Sequence, residues 1–455
     1  MKTLSQTKSR GWRRSWSFVA ATTGATIGLG NLWKFSYLAG ENGGAAFIIV
    51  YLVCILLVAM PVMIAEIVLG SRGRSNPITT MQDVSLEAGV SAWWQGIGWF
   101  GCFAGLLVLS YYSVIAGWGF AYIGKLFAGD FDATSAQLAG DQFNAFLAEP
   151  QSMLEWQGLF LLIIFLTIAV GIRRGIGLLA RLLMPLLFVT LIALAVYSSQ
   201  VGDFQAAVNF MFTPDFSSLT RQGVLVALGH AFFTLSIGVG AMIAYGAYVP
   251  DKRSITSMVS VVVVADTLVS LLAGLAIFPL VFSLNIAPAM GPGLMFVAVP
   301  YGFGNMIYGN YYGALFFLMV SLAAITSGVA LMEPATSWLS ERLRWWRPVA
   351  ALMVVAIVWL LGLASVFSFN EWKDISIAGM SIFSAVDFFT ANLLLPAGGL
   401  LTAIFVGWKM RREVLRDELY VEGRVLFSLW YWVLRYIAAP GVLVVFLSSF
   451  LKDWV

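Results

Sequence analysis

"GATIGLGNLWKFSYLAGENGGAAF", residues 24–47, places several glycines inside an apolar run that is long enough to cross a membrane. A second apolar run carries "SIGVG", residues 236–240, which resembles "TIGLG", residues 26–30, at a distance of 210 residues. Glycine in a helix interior costs about 1 kcal/mol relative to alanine. Unwound backbone survives at membrane depth only where it lines an enclosed cavity. The repeated element therefore predicts two spanning helices that are broken at the same depth.

The composition is that of an integral membrane protein. Of the 455 residues, 60% are hydrophobic and only 11% are charged, whereas soluble domains carry about 25% charged residues. The net charge of +3 comes from loop residues and reports topology, so no nucleic-acid partner is expected. Cys54 and Cys102 lie in apolar segments, and no disulfide framework is predicted.

Eleven apolar runs have the length of a membrane span. They lie near residues 14–38, 43–70, 91–124, 153–171, 178–199, 222–248, 257–284, 310–340, 348–367, 378–408 and 426–450. We therefore expect residues 1–13 to be a cytoplasmic segment and residues 14–455 to form one transmembrane domain.

The distribution of charge predicts the orientation. With the N-terminus in the cytoplasm, most Lys and Arg lie on the cytoplasmic side, as the positive-inside rule requires. The opposite side holds only Lys125, Arg221, Lys373 and Lys452. Eleven spans then place the C-terminus outside, in a multi-pass protein of the inner (plasma) membrane.

Breaks in spans 1 and 6 suggest an internal repeat. The all-α fold would contain two five-helix repeats, about 14–199 and about 222–408, and one extra helix, about 426–450. An odd number of helices per repeat inverts the topology of the second, as in many secondary transporters. Close helix packing explains a single glycine pair equally well, but two similar pentapeptides at equivalent positions favour the breaks.

Three stretches resemble the first, sixth and eighth helices of the neurotransmitter:sodium symporters. They are residues 24–47, "FFTLSIGVGAMIAYGAY" at 232–248 and "ITSGVALMEP" at 325–334. The resemblance covers nearly the whole chain. It implies a transporter, not an enzyme, that couples inward sodium movement to uptake of an amino acid or amine by alternating access.

The resemblance also implies two sodium sites built from oxygen donors, which suit a small alkali cation. The first would use the substrate carboxylate with Thr26, Asn31, Thr234 and, in span 7, Asp266. The second would use Gly24, Ile27, Ala323, Thr326 and Ser327. Without the resemblance, Thr326 and Ser327 could simply bond back to their own helix. If Asp266 reaches the first ion, its negative charge makes chloride unnecessary.

One position bears on the substrate. Members that carry biogenic amines have aspartate where this chain has Gly28, whereas amino-acid carriers have glycine, because their substrate brings its own carboxylate. Tyr112 resembles the tyrosine whose hydroxyl holds that carboxylate. Val239 and Gly328 stand where a small-substrate member carries bulkier residues, which favours a large aliphatic or aromatic substrate.

The full set of expected substrate-binding residues carries no charge, so a neutral side chain is expected, since a buried ion needs a partner. The set is Thr26, Gly28, Gly30, Val108, Tyr112, Ile115, Phe233, Ser236, Gly238, Val239, Ser327, Gly328 and Leu331.

The resemblance implies gates on both sides of the site. Lys34 and Asp387 match the outer ion pair, with lysine in place of the usual arginine. Since lysine cannot bind a carboxylate bidentately, we expect this gate to be looser or bridged by water. Glu341 matches an inner acidic residue near Trp12 and Tyr248. Its usual basic partner is missing, and Arg10 is the best substitute.

Among the other ionisable residues in the spans, Glu66 and His230 stand out. Glu66 resembles a buried family carboxylate, although it or Asp266 could instead be a protonated structural acid, given the cost of a charge in the membrane. His230, the only histidine, stands where the family usually has glutamine. A lone histidine on an apolar helix is more often a packing residue, but the unperturbed pKa of histidine lies near physiological pH. We hypothesise that uptake changes between about pH 5.5 and 7.5 through His230.

Other functions fit less well. Proton coupling on a similar fold would place a lysine ammonium at the second sodium site, but span 5 has only Arg181, at its start. An intramembrane enzyme would need a catalytic or metal-binding group that one histidine does not supply. A sensor would ordinarily carry a cytoplasmic signalling segment. The expected partners are an amino acid and the bilayer, with the protein a monomer or weak homodimer.

Overall fold

The computed structural model describes residues 15–171, 175–251, 253–284 and 293–448, which are almost entirely helical. The helices of the first half are α1 (Ser15–Thr26), α2 (Phe35–Glu41), α3 (Ala45–Cys54), α4 (Met60–Gly73), α5 (Pro77–Glu87), α6 (Gly96–Phe127), α7 (Ala136–Leu147), α8 (Pro150–Ala169), α9 (Gly177–Val201) and α10 (Phe204–Phe212). Those of the second half are α11 (Arg221–Thr234), α12 (Ala241–Gly246), α13 (Ile255–Ser283), α14 (Val299–Gly304), α15 (Gly309–Leu343), α16 (Arg347–Phe367), α17 (Ile382–Phe388), α18 (Leu395–Ile404), α19 (Arg412–Glu418), α20 (Gly423–Val433) and α21 (Ala439–Ser448).

Wider and tighter helical turns extend several of these helices. The wider, π-helical turns are Gly30–Lys34, Ile55–Ala59, Leu294–Ala298, Phe389–Leu394, Phe405–Lys409 and Leu434–Ala438. The tighter, 3-10 turns are Ala92–Gln95 and Tyr420–Glu422. The two strands, β1 (Ser376–Ile377) and β2 (Met380–Ser381), form an antiparallel hairpin.

Nine helical stretches in the described part of the chain are long and apolar enough to cross a membrane. Each matches one predicted span. The remaining two predicted spans, 14–38 and 222–248, are helical but divided into shorter pieces. The prediction of an all-α membrane protein with broken helices 1 and 6 is therefore confirmed. The tenth span, expected near residue 378, begins at Ile382, because the hairpin occupies residues 376–381.

The helices around the breaks form the centre of the bundle. We compare the buried share of the most apolar 18 residues in each span. It is 83% for α15 and 78% for the stretch that contains α6, but only 33% for α8 and 33% for α9. A helix that is apolar on all sides and mostly buried belongs to the interior. The two broken helices lie against α6 and α15, so the breaks are shielded from lipid.

The second break depends on backbone conformation. Between α11 and α12, Ser236, Gly238 and Gly240 have φ angles of 51°, 84° and 72°. Residues other than glycine rarely adopt this left-handed backbone conformation. Gly238 also lacks room, because a Cβ there would lie 2.4 Å from the carbonyl oxygen of Leu395.

The first break depends on space instead. Gly28 and Gly30 are not among the described residues with positive φ. A Cβ on Gly28 would lie 2.5 Å from Ser327 Oγ and 2.7 Å from Tyr112 Oη. The two similar pentapeptides therefore need glycine for different physical reasons.

We predict that Gly238→Ala destabilises the protein, because alanine is strained at this φ and its Cβ meets backbone that cannot easily move. Strain of this kind costs on the order of 1–3 kcal/mol. Gly229→Ala is the matched control: Gly229 lies in the regular part of α11, and a Cβ there would meet nothing within 4 Å. Thermal unfolding in detergent should show a lower Tm for Gly238→Ala only, and equal Tm values for the two variants would contradict this account of the break.

Candidate functional site

A small cavity lies where the two breaks meet α6 and α15. Its volume is about 30 Å³, enough for roughly two waters. The residues that line it are Thr26, Gly28, Gly30, Val108, Tyr112, Phe233, Thr234, Ser236, Val239, Ser327, Leu331 and Leu395. Most of the expected substrate-binding residues are thus brought together from four separate parts of the chain.

Three expected residues do not line this cavity: Ile115, Gly238 and Gly328. A Cβ on Gly328 would lie 2.5 Å from Ile164 Cδ1 and 3.0 Å from Phe160 Cζ. Gly328 therefore faces α8, and its small size makes room for these two side chains rather than for a ligand. The argument that Gly328 enlarges the pocket was wrong for this reason.

Leu395, at the start of α18, lines the cavity and was not predicted. It lies in an apolar run, "NLLLPAGG" at 392–399, in which no local pattern marks one leucine as different. Leu395 faces the cavity only because of the way α18 is rotated about its axis in the folded bundle.

The polar end of the cavity is organised by Tyr112. Its hydroxyl oxygen accepts a hydrogen bond from the backbone N–H of Leu29 at 3.3 Å. A phenol donates one hydrogen bond as well as accepting, so its proton remains to be shared with another acceptor. Gly28 N–H donates to Asn31 Oδ1 at 3.0 Å, which satisfies a second backbone group of the first break.

Beside the cavity, the side chains of Asn31, Thr234, Asp266 and Ser270 form a buried cluster. Asn31 Nδ2 donates to Thr234 Oγ1 at 2.8 Å and to Ser270 Oγ at 3.0 Å. Thr234 Oγ1 donates to Asp266 Oδ2 at 3.0 Å. Asp266 is fully buried, and no Lys or Arg within the described ranges forms an ion pair with it.

Ser270 was missed by the sequence reasoning. It lies four residues after Asp266 in α13, and residues at that spacing share a helix face. Its position relative to Asp266 was therefore a usable signal.

A second group of oxygens lies between α1 and α15. Ser327 Oγ donates to the carbonyl of Ile27 at 2.9 Å, and Thr326 Oγ1 donates to the carbonyl of Ala323 at 2.9 Å. A Cβ on Gly24 would lie 3.3 Å from Thr326 Cβ. The five residues expected at the second sodium site are thus neighbours, with Thr326 bonded within its own helix and Ser327 across to the break.

The expected outer pair is present and direct. Lys34 Nζ lies 3.1 Å from Asp387 Oδ1 and 3.3 Å from Oδ2. The same ammonium lies 4.6 Å from the centre of the Phe233 ring, a cation–π arrangement. Of the two expected forms, a looser gate or one bridged by water, the second does not describe this direct contact, in which one nitrogen lies within reach of both carboxylate oxygens. The looser gate stays a prediction.

On the opposite side, Glu341 accepts hydrogen bonds from Ser75 Oγ at 3.0 Å and Asn76 Nδ2 at 2.5 Å. These partners were not predicted, although Asn76 is recognisable as the N-cap of α5. Tyr248 lies just after the end of α12, in the segment that leads to α13. Arg10 and Trp12 lie outside the described residues.

Glu66 and His230 are both buried close to the breaks. Glu66 Oε1 accepts a hydrogen bond from Gly238 N–H at 2.9 Å and so holds the second break. His230 packs against the rings of Phe35 and Tyr51, and neither ring nitrogen has a hydrogen-bond partner in the part of the chain that the structure describes. The pH dependence through His230 stays a prediction.

Comparison with known proteins places this architecture in a family. The model of the "Sodium:neurotransmitter symporter family" matches residues 9–145 and 147–454. The chain belongs to the sodium:neurotransmitter symporter family. Its members are transporters rather than enzymes, so the chain is a multi-pass membrane transporter of a sodium-dependent family.

Two bacterial relatives and one solved structure match over nearly their whole length. The sodium-dependent transporter YhdH of Bacillus subtilis is 33% identical over 448 residues, which are 98% of each chain. A sodium-dependent transporter of Haemophilus influenzae is 30% identical, over 96% of this chain and 98% of its own. The crystal structure of MhsT in complex with L-phenylalanine superposes with a TM-score of 0.89 at 38% identity, covering 97% of this chain and 99% of that one.

We predict that Gly328→Ala lowers stability because of Ile164, whose Cδ1 would lie 2.5 Å from the new Cβ. Overpacking of this kind typically costs about 1–3 kcal/mol. The double variant Gly328→Ala/Ile164→Val removes that Cδ1 and should recover most of the Tm, with Ile164→Val alone as the control. A Gly328→Ala protein of unchanged Tm would mean that the position faces free space.

Proposed function

We propose that the protein is a sodium-coupled symporter that imports a neutral L-amino acid with a large aliphatic or aromatic side chain. The observation that carries the proposal is the cavity at the meeting point of the two breaks, with Tyr112 at its polar end and the Asn31–Asp266 cluster beside it. The MhsT structure, which is similar over almost the whole chain, contains L-phenylalanine.

The charge of the cavity lining suits a free amino acid. None of the lining residues is ionisable at neutral pH. A free amino acid carries its own carboxylate and ammonium. The Tyr112 hydroxyl can donate a hydrogen bond to the carboxylate. Backbone carbonyls at the breaks lack helical partners and can accept hydrogen bonds from the ammonium. Glycine at position 28 supplies no carboxylate of its own, and a Cβ there would lie 2.7 Å from Tyr112 Oη.

The first sodium ion would bind next to the substrate. Asn31 Oδ1, Thr234 Oγ1, the Asp266 carboxylate and the carbonyl of Thr26 offer oxygen donors that suit this cation. Asp266 also supplies a negative charge that no described cation neutralises. If the substrate carboxylate completes the site, sodium and substrate stabilise the same conformation, and that mutual stabilisation is the coupling.

The second sodium ion would lie between Gly24, Ile27, Ala323, Thr326 and Ser327, where α15 contacts the first break. Proton coupling would need a cationic side chain in their place. Arg181 does not supply it, because its Nε donates to the carbonyl of Gly177 in the same helix. This contact favours sodium at both positions.

Substrate entry would require movement of Phe233. A cavity of about 30 Å³ is too small for a large amino acid, and the Phe233 ring forms one wall. Because the Lys34 ammonium lies over that ring, separation of Lys34 from Asp387 would release the ring and open the cavity outward. Glu341, with Ser75 and Asn76, would close the cytoplasmic side during this step. This sequence is the outward-open half of alternating access.

The orientation and assembly complete the proposal. The N-terminal segment, with Arg10 and Trp12, would lie in the cytoplasm and add to the inner gate, and the C-terminus would lie outside. The protein would work in the bacterial inner membrane as a monomer or weak homodimer, with the repeats at about 14–199 and 222–408.

We expect sodium-driven accumulation of tryptophan, phenylalanine or leucine in proteoliposomes. The measurement is uptake of each radiolabelled amino acid, with alanine as the small comparison, under an inward sodium gradient and in matched potassium buffer. The apolar walls formed by Val108, Val239, Leu331 and Leu395 should make the large substrates better than alanine. Equal uptake in sodium and potassium would refute the coupling, and a preference for alanine would refute the proposed size of the pocket.

Chloride should not be needed, because Asp266 already supplies a negative charge beside the first ion. Replacement of chloride by gluconate should leave uptake within about twofold. Asp266→Asn should raise the sodium concentration for half-maximal uptake by about tenfold or more, the equivalent of 1.4 kcal/mol. Asp203→Asn, at the N-cap of α10, is the matched control. Strict chloride dependence of the unaltered protein would contradict the role given to Asp266.

A further inference from the structure

A basic groove lies between α19 and α20, away from the proposed transport path. It has a volume of about 320 Å³. The residues that line it are Arg412, Glu413, Arg416, Arg424, Phe427 and Ser428. Three guanidinium groups against one carboxylate give the groove a net positive charge.

Two neighbouring acids, Glu418 and Glu422, form their contacts outside the groove. Glu418 accepts hydrogen bonds from Ser71 Oγ at 3.0 Å and Arg72 Nη1 at 3.2 Å. Glu422 accepts from the backbone N–H of Thr256 at 3.0 Å, at the start of α13. Across the described ranges, none of the three groove arginines has an acidic side chain within 4 Å.

A fourth arginine extends the positive charge into the membrane-spanning part of the last helix. Arg435 packs its guanidinium over the rings of Trp408 at 5.0 Å and Tyr431 at 5.3 Å. Arg412 lies over the same Tyr431 ring at 5.4 Å. An arginine within a span is costly and marks a functional site by default, and this one also has no ion-pair partner among the residues described.

The groove opens where the protein meets lipid. On α20, Val425 is 83% exposed and Leu429 is 57% exposed, which fits contact with acyl chains. Trp432 and Tyr436, further along the same helix, are also exposed. The positive-inside prediction assigns this end of the helix to the cytoplasmic side.

We propose that this groove binds the phosphate headgroup of an anionic phospholipid of the cytoplasmic leaflet, with the acyl chains along α20. Guanidinium groups pair well with phosphate, and basic pockets between helices on the cytoplasmic side are a recurring form of lipid site. The occupant is a lipid rather than a free anion because apolar surface continues from the groove along the helix. This site is independent of the proposed substrate.

The test uses the whole protein in a neutral detergent, titrated with phosphatidylglycerol, phosphatidylcholine or glycerol 3-phosphate while Tm is recorded. Phosphatidylglycerol should raise Tm in a saturable way, and the other two should not do so at equal concentrations. Arg416→Gln/Arg424→Gln should raise the half-saturating phosphatidylglycerol concentration about tenfold or more, given the attraction of each basic residue for an anionic headgroup.

Two further double variants distinguish loss of the headgroup site from loss of the fold. Arg253→Gln/Arg342→Gln removes two exposed arginines on the same predicted side, one before α13 and one in the last turn of α15, and should leave half-saturation within about twofold. Arg416→Lys/Arg424→Lys keeps the charge and should retain most of the binding. Equal half-saturation for the glutamine pairs would overturn the proposal, and equal protection by glycerol 3-phosphate would assign the groove to a free anion instead.

Discussion

The whole arrangement depends on the need to satisfy backbone groups at membrane depth. Each break frees N–H and C=O groups that neither water nor lipid can satisfy there. Their partners come from the other break and from α15: Ser236 Oγ donates to the carbonyl of Ala25 at 3.0 Å, and Ser327 Oγ donates to that of Ile27. The polar side chains that make the breaks tolerable therefore also bring oxygen donors to the centre of the bundle.

The sequence predicted the spans and the breaks because both depend on local properties. Apolar length reports bilayer thickness, and paired glycines report backbone that is not helical. The lining of the cavity depends on how each helix is rotated about its axis. Gly328 and Leu395 show the consequence: the first turned out to face α8 and the second to face the cavity. Side-chain packing across distant helices decides such rotations, and no short pattern records it.

Buried charges in the bundle fall into two kinds. Glu333 and Arg347 form an ion pair that joins α15 to α16, and Arg347 Nε also donates to the carbonyl of Ile168 near the end of α8. Asp266 and Glu66 instead accept hydrogen bonds from neutral groups at the breaks. In the first kind the charge is neutralised by another side chain. The second kind leaves negative charge or acceptor capacity where a cation and a moving helix would meet.

The same contrast separates a contact that holds the bundle from the contact that, in our proposal, opens during transport. The Glu333 side chain is 2% exposed, and breaking a buried pair is strongly unfavourable because it leaves an uncompensated charge. The Asp387 side chain is 30% exposed, so solvent weakens its attraction for Lys34. Lysine binds as a point charge on a flexible stem and has no planar geometry to restore. A lysine at this position therefore suits the gate that we propose, which would separate and form again in each transport cycle.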